Sequence, residues 1–117
     1  MNTMTSQSIV VAHVGDVDED EGIVIDAAVT GTVGDIALFF DGATYYALDD
    51  TCTHETASLA DGWVEDGCVE CPLHAAKFCL GDGSVQSMPA TESVAAHTVV
   101  VDGDDIRIIP NPDRLVK

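Results

Sequence analysis

Basic side chains are scarce in this sequence. Four Lys and Arg stand against 21 Asp and Glu, a formal net charge of −17. Polyanions and anionic membrane surfaces are held by clustered Lys and Arg, so binding to DNA, RNA or such a membrane is not expected. Long apolar runs are missing too. Ile36-Ala37-Leu38-Phe39-Phe40 is among the longest, far short of the roughly 20 residues that cross a bilayer as a helix. Residues 1–8 carry neither the basic segment nor the apolar core of a signal peptide. The expectation is a soluble, cytoplasmic chain. No stretch sustains a 3.6-residue apolar period, so the expected class is all-β. No internal repeat is present. Nor is there a Gly-x-Gly-x-x-Gly dinucleotide fingerprint, so the chain is not expected to oxidise NAD(P)H.

The chain has 117 residues, 46% of them hydrophobic, with no low-complexity segment. This fits a single domain with one modest core, not a disordered chain. The acidic excess suits a partner with a basic docking face; a general solubility or high-salt adaptation gives the same composition. Strand patterns are expected at 8–13, 23–29, 36–40 and 44–48. Asp41-Gly42 turns the last two into a hairpin. Asp16 to Gly22 reads as a solvated acidic loop. From about 49 to 88 the texture changes to short β-prone pieces at 62–65, 68–70 and 77–80, between turn clusters. This stretch is expected to be a small inserted β-subdomain with its site on loops. Residues 1–48 and 89–117 then form the base, with strands at 95–101 and 106–109, an Asp102-Gly103 turn and a loose tail from Pro110.

Four metal ligands sit in two tight pairs inside the insert. Cys52-Thr53-His54 and Cys71-Pro72-Leu73-His74 are separated by sixteen residues. Such spacing lets both side chains of each loop point inward, and Pro72 restricts the second loop. Two thiolates and two neutral imidazoles suit one tetrahedral zinc. They also suit a [2Fe–2S] cluster with Cys on one iron and His on the other. With two thiolates the oxidised cluster is formally neutral and accepts an electron more readily than a four-thiolate one. For zinc, Cys68-Val69-Glu70-Cys71 is a Cys-x-x-Cys pair that could recruit Cys79 or His74. That choice leaves Cys52 and His54 idle, and in strand geometry Cys68 and Cys71 face opposite sides. Cys68 and Cys79 read as small apolar residues.

Cys-x-His, sixteen residues, Cys-x-x-His resembles the Rieske signature. Cys71-Pro72-Leu73-His74-Ala75-Ala76-Lys77-Phe78 resembles the second loop of Rieske ferredoxins from bacterial ring-hydroxylating dioxygenases. Tyr46 to Thr51, Gly62 to Glu65, Leu80 to Gly83 and Met88-Pro89-Ala90 are similar to the family as well. The resemblance implies a Rieske fold, an antiparallel β-sandwich base carrying a cluster-binding subdomain. It implies one [2Fe–2S] cluster, with Cys52 and Cys71 on the inner iron. His54 and His74 would bind the outer iron through Nδ1, their far edges near solvent.

Departures from related subfamilies narrow the expectation. Respiratory Rieske proteins join an extra Cys from each loop as a disulfide; Ala57 and Leu73 occupy those positions here, so no bridge can form. Ala76 and Phe78 stand where those proteins place Ser and Tyr hydroxyls. Fewer donors to the sulfurs lower the potential, to an expected value of about −150 mV. Ala75 replaces a frequent Gly. His13 and His97 are expected to be structural or exposed, Trp63 to be a packing residue, and Lys77 to be a solvated or docking side chain. The implied function is electron carriage, not catalysis. A flavin-containing ferredoxin reductase would be the donor and a terminal Rieske oxygenase the acceptor, acting on a ring system such as biphenyl, naphthalene or carbazole. The carrier itself is expected to be monomeric. A small subunit of nitrite reductase and a zinc-stapled binding module are the alternatives.

Overall fold

The computed structural model describes residues 8–51, 57–72, 76–86 and 93–116. Nine strands form two antiparallel sheets among these residues. The larger sheet has the order β1-β9-β8-β4-β3-β2. Its members are β1 (Ile9–His13), β2 (Glu21–Ile25), β3 (Ile36–Phe40), β4 (Tyr45–Asp49), β8 (Ala96–Asp102) and β9 (Asp105–Ile109). The smaller sheet has the order β5-β6-β7, made of β5 (Trp63–Glu65), β6 (Cys68–Glu70) and β7 (Lys77–Cys79).

β8 makes the larger sheet fold over. Its first residues, Ala96 and His97, pair with Leu48 and Ala47 of β4. From Thr98 onward it pairs with β9 instead. The two halves close on Ala12, Val17, Ile25, Ile36, Leu38, Ala47, Ile106 and Ile108, all buried. β3 explains how a second core is added. Ile36, Ala37, Leu38 and Phe39 are all fully buried, the mark of a strand covered on both faces. Ile36 and Leu38 enter the first core. Ala37 and Phe39, on the opposite face, enter a second one with Leu48, Leu59, Val64, Val69, Phe78 and Leu80. That second core joins the small sheet to the base.

Turn chemistry holds the β3–β4 hairpin. Asp41 Oδ1 accepts from the Ala43 and Thr44 amides at 2.9 and 2.7 Å. Gly42 takes φ 95°, a left-handed geometry that glycine adopts without strain. These bonds stabilise the carboxylate, Thr44 first, and hold the Asp41 pKa below its usual value of 3.8.

Three expectations are corrected. The strand expected at 23–29 ends at Ile25. Asp26 instead caps a helical turn, α1 (Ala27–Thr30), accepting from the Ala28 amide, and Gly31 closes it at φ 70°. Ala-Ala between an Asp cap and a Gly stop favours helix over strand. The acidic loop at 16–22 is solvated only in part: Val17 is buried, and Glu21 and Gly22 already belong to β2. The tail is not loose. Asn111 caps a 3-10 turn at Pro112–Arg114, Leu115 bridges to Thr32, and the Val116 amide reaches Gly31 O at 2.9 Å.

Candidate metal centre

Both loops that carry the candidate ligands have closed bases, and both bases lie at the second core. The first loop leaves the end of β4 through Asp50 and Thr51. Thr51 and Ser58 pair as an isolated antiparallel bridge. Asp50 reinforces this closure. Its buried carboxylate accepts from Ser58 Oγ at 2.8 Å and from the Ala60 amide at 3.0 Å, while its carbonyl accepts from the Leu59 amide at 2.7 Å. Cys52 and His54 belong to the loop so closed but lie outside the described residues. The second loop joins β6 to β7. The Cys71 amide donates to Ala76 O at 2.7 Å, extending the β6–β7 ladder to the loop's root. Cys71 is fully buried at that root. His74, with Leu73 and Ala75, lies outside the described residues, as does Met88-Pro89-Ala90.

The surroundings of Cys71 suit a thiolate-bound cluster without extra donors. Ala76 and Phe78 are fully buried in the same core as Cys71, and Ala57, from the foot of the first loop, packs against it. Ala76 and Phe78 themselves bring no hydroxyl to it. Half-buried Tyr46 packs against it. Two loop roots meeting at one apolar core, one with a buried cysteine, fit the donor set required. The zinc alternative fares worse. Cys68 lies on the outer face of the small sheet, opposite Val69, whereas Cys71 is buried.

Asp50, with Ser58, is a positioning pair that the sequence reading missed. An Asp eight residues before a Ser carries no distinctive pattern; only the folded loop brings them together. Gly83 is a second such position. A Cβ there would overlap the Val94 carbonyl, because Val94 N donates to Gly83 O at 2.9 Å. This close approach ties the turn after β7 to the chain entering β8.

The remaining histidines are structural or exposed, as expected. His97 has a fully buried side chain. Its Nδ1 accepts from the Asn111 amide at 2.9 Å, so Nε2 carries the proton and donates to Asp49 Oδ1 at 2.8 Å. Both ring nitrogens are thus engaged. Arg114 Nε lies 2.7 Å from Asp49 Oδ2 but out of line for a hydrogen bond, so this contact is an ion pair. His13 is exposed, 3.5 Å from Asp105 and 3.8 Å from Asp16. Lys77 is a surface side chain 4.0 Å from Glu70. Trp63 is the correction here. It is 60% exposed, because β5 turns Val64 inward and Trp63 outward. Cys68 and Cys79 face each other across β6 and β7 with sulfurs 3.9 Å apart. Burial, and then the contact with Cys79, raise the Cys68 thiol pKa above 9.0.

Comparison with known proteins settles the family. The family model for the Rieske [2Fe–2S] domain matches residues 7–106. The chain belongs to the Rieske family. A 3-phenylpropionate/cinnamic acid dioxygenase ferredoxin subunit from Escherichia coli is 45% identical to this Rieske chain over 96 residues, covering 81% of it and 86% of the relative. Among solved structures, the ferredoxin of carbazole 1,9a-dioxygenase from Nocardioides aromaticivorans superposes with TM-score 0.80 at 29% identity, covering 89% of this chain and 98% of that one. A putative NADH-dependent nitrite reductase small subunit from Mycobacterium tuberculosis shares the fold, with TM-score 0.74 at 21% identity over 86% of this chain and 92% of that one. The Rieske family's group is a [2Fe–2S] cluster, which decides between iron–sulfur and zinc.

Proposed function

We propose that this Rieske chain carries single electrons from a flavin-containing ferredoxin reductase to the terminal oxygenase of an aromatic-ring dioxygenase system. In this reading Cys52, His54, Cys71 and His74 hold the [2Fe–2S] cluster. The observation that carries it is 45% identity, over most of both chains, to a dioxygenase ferredoxin subunit. Likeness to the nitrite reductase subunit is one of fold alone. When bound, the cluster supplies a one-electron couple in the Rieske range. The protein's part is to hold and tune it. Cys71 brings one thiolate into an apolar setting, Asp50 and Ser58 fix the first loop's span, and Ala76 and Phe78 withhold hydroxyl donors from the sulfurs. With no hydroxyl at positions 76 and 78, the chain would leave the reduced, more negative form of a bound cluster less stable.

Residues from about 49 to 88 act as the cluster-binding subdomain, and 1–48 with 89–117 as its base. No helix among the described residues is long and apolar enough to cross a membrane. The reading puts a monomeric carrier in the cytoplasm, meeting two partners in turn through small, quickly released interfaces. A net charge of −17 speeds encounter with a basic docking face. Reconstituted turnover tests the role: reductase and oxygenase should be slow together and fast once this protein is added. Full turnover without it would overturn the proposal.

A further inference from the structure

One chemical feature of the small sheet has no part in holding the cluster. Cys68 and Cys79 occupy directly opposite positions of β6 and β7. The ladder bonds fix which kind of pair they form. The Cys71 amide bonds Ala76 O and the Leu80 amide bonds Gly67 O, so the hydrogen-bonded pairs are 71 with 76 and 67 with 80. Alternation makes Cys68–Cys79 a non-hydrogen-bonded pair. Such pairs hold their Cα atoms about 4.5 Å apart, within the roughly 4.4 to 6.8 Å that disulfides span. The sulfurs already lie 3.9 Å apart. Both residues sit on the sheet's outer face and are half-buried. On that face Trp63, Glu65, Glu70 and Lys77 border Cys68 around a small cleft.

We propose that Cys68 and Cys79 are a redox-modification site, closing reversibly into a cross-strand disulfide by exchange with a low-molecular-weight disulfide. One cysteine thiolate attacks a sulfur of that reagent, breaks its S–S bond and forms a mixed disulfide. The first reagent thiol leaves with a proton. The second cysteine then attacks the protein sulfur of the mixed disulfide, forms the Sγ–Sγ bond and expels the second reagent thiol, which takes the other proton. Two cysteine thiols are oxidised and one reagent disulfide is reduced.

The location gives the bond a consequence. Cys68 lies three residues before Cys71, and Cys79 three residues after Ala76. A covalent link there closes the root of the second ligand loop and restricts its opening. It thereby acts on cluster retention without touching a ligand.

The test uses the anaerobic holoprotein and cystamine, whose cationic arms suit the Glu65 and Glu70 rim. Glutamyl and tryptic digestion under non-reducing conditions separates Cys68 (66–70), Cys71 (71–77) and Cys79 (78–92). The expected product links 66–70 to 78–92, with the cluster's absorption retained and the link undone by dithiothreitol. Iron release to a chelator should then be roughly tenfold slower than from the dithiol form, a modest share of what closing such a loop stabilises. Cys68→Ser should abolish both effects. The proposal is overturned if both thiols stay open to alkylation, or if the reaction stops at a cysteamine adduct. A link that recruits Cys52 or Cys71 overturns it too, as does a Cys68–Cys79 link that leaves iron release unchanged.

Discussion

At the residue scale, two buried side chains outside the ligand set hold the site's surroundings. His97 joins Asp49, Asn111 and, through Asp49, Arg114. Replacing it by Ala strands the Asn111 amide and leaves the Asp49 carboxylate only its ion pair with Arg114. The expected cost is about 1–3 kcal/mol, read as a lower denaturant midpoint. Asp50 acts closer to the cluster. Asp50→Ala removes the acceptor for Ser58 Oγ and the Ala60 amide. It is expected to lower iron per chain while the far-ultraviolet β signature persists; full iron loading would show that the carboxylate does not position the first loop. Sequence spacing made the four candidate ligands legible, because Cys and His pairs at short intervals are rare by chance. It could not reveal Asp50, whose partners are chosen by the folded loop. Trp63 was misread for a related reason: a large aromatic is expected to pack, and only the register of β5 shows it outward.

Hairpins and turns were the most readable elements, since Asp-Gly and similar pairs state their backbone geometry locally. Asp41 and Asp82 do this work through their carboxylates. The Ser84 amide, then its side chain, lowers the Asp82 pKa as Thr44 and Ala43 lower that of Asp41. Because both folded values lie below the unfolded value, their contribution is present above about pH 4. It is lost as the pH falls through the folded values. Asp41→Ala should therefore lower stability at neutral pH and flatten part of the acid-unfolding curve, as followed by circular dichroism between neutral pH and about pH 2. The helical turn at α1 was less readable, because a four-residue helix is too short to show a period. Its cap and stop residues were the available signal. Gly83 carries the clearest steric demand. Gly83→Ala places a Cβ against the Val94 carbonyl at φ 76°, so the turn after β7 must shift. A cost of about 2 kcal/mol or more in chemical denaturation is expected. Phe78→Ala opens the core between the two sheets, where Phe78 is fully buried. That loss should reach about 3–5 kcal/mol.

For the whole molecule, the class and the three strands of the small sheet followed from short β runs between turns. The double burial of β3 did not, since an apolar run of five says nothing about what covers each face. The pinned tail was also hidden, because its partners Gly31, Thr32 and Val33 are distant in sequence. Charge is the molecule-wide property that bears most on function. With a net charge of −17, electron delivery to either partner should slow as salt shortens the Debye length from about 30 Å at 0.01 M to about 8 Å at 0.15 M. Stopped-flow rates across that range measure it, and a flat profile would remove charge from the docking step. The central claim is that two Cys and two His hold a single low-potential cluster in a Rieske carrier with no disulfide joining its two ligand loops. Its most direct test is a potentiometric titration of the purified holoprotein followed by electron paramagnetic resonance. The expected result is one electron per chain, a mixed Cys/His-type signal on reduction and a midpoint near about −150 mV. A clearly positive midpoint, or a colourless protein that holds stoichiometric zinc and gives no signal, would contradict it.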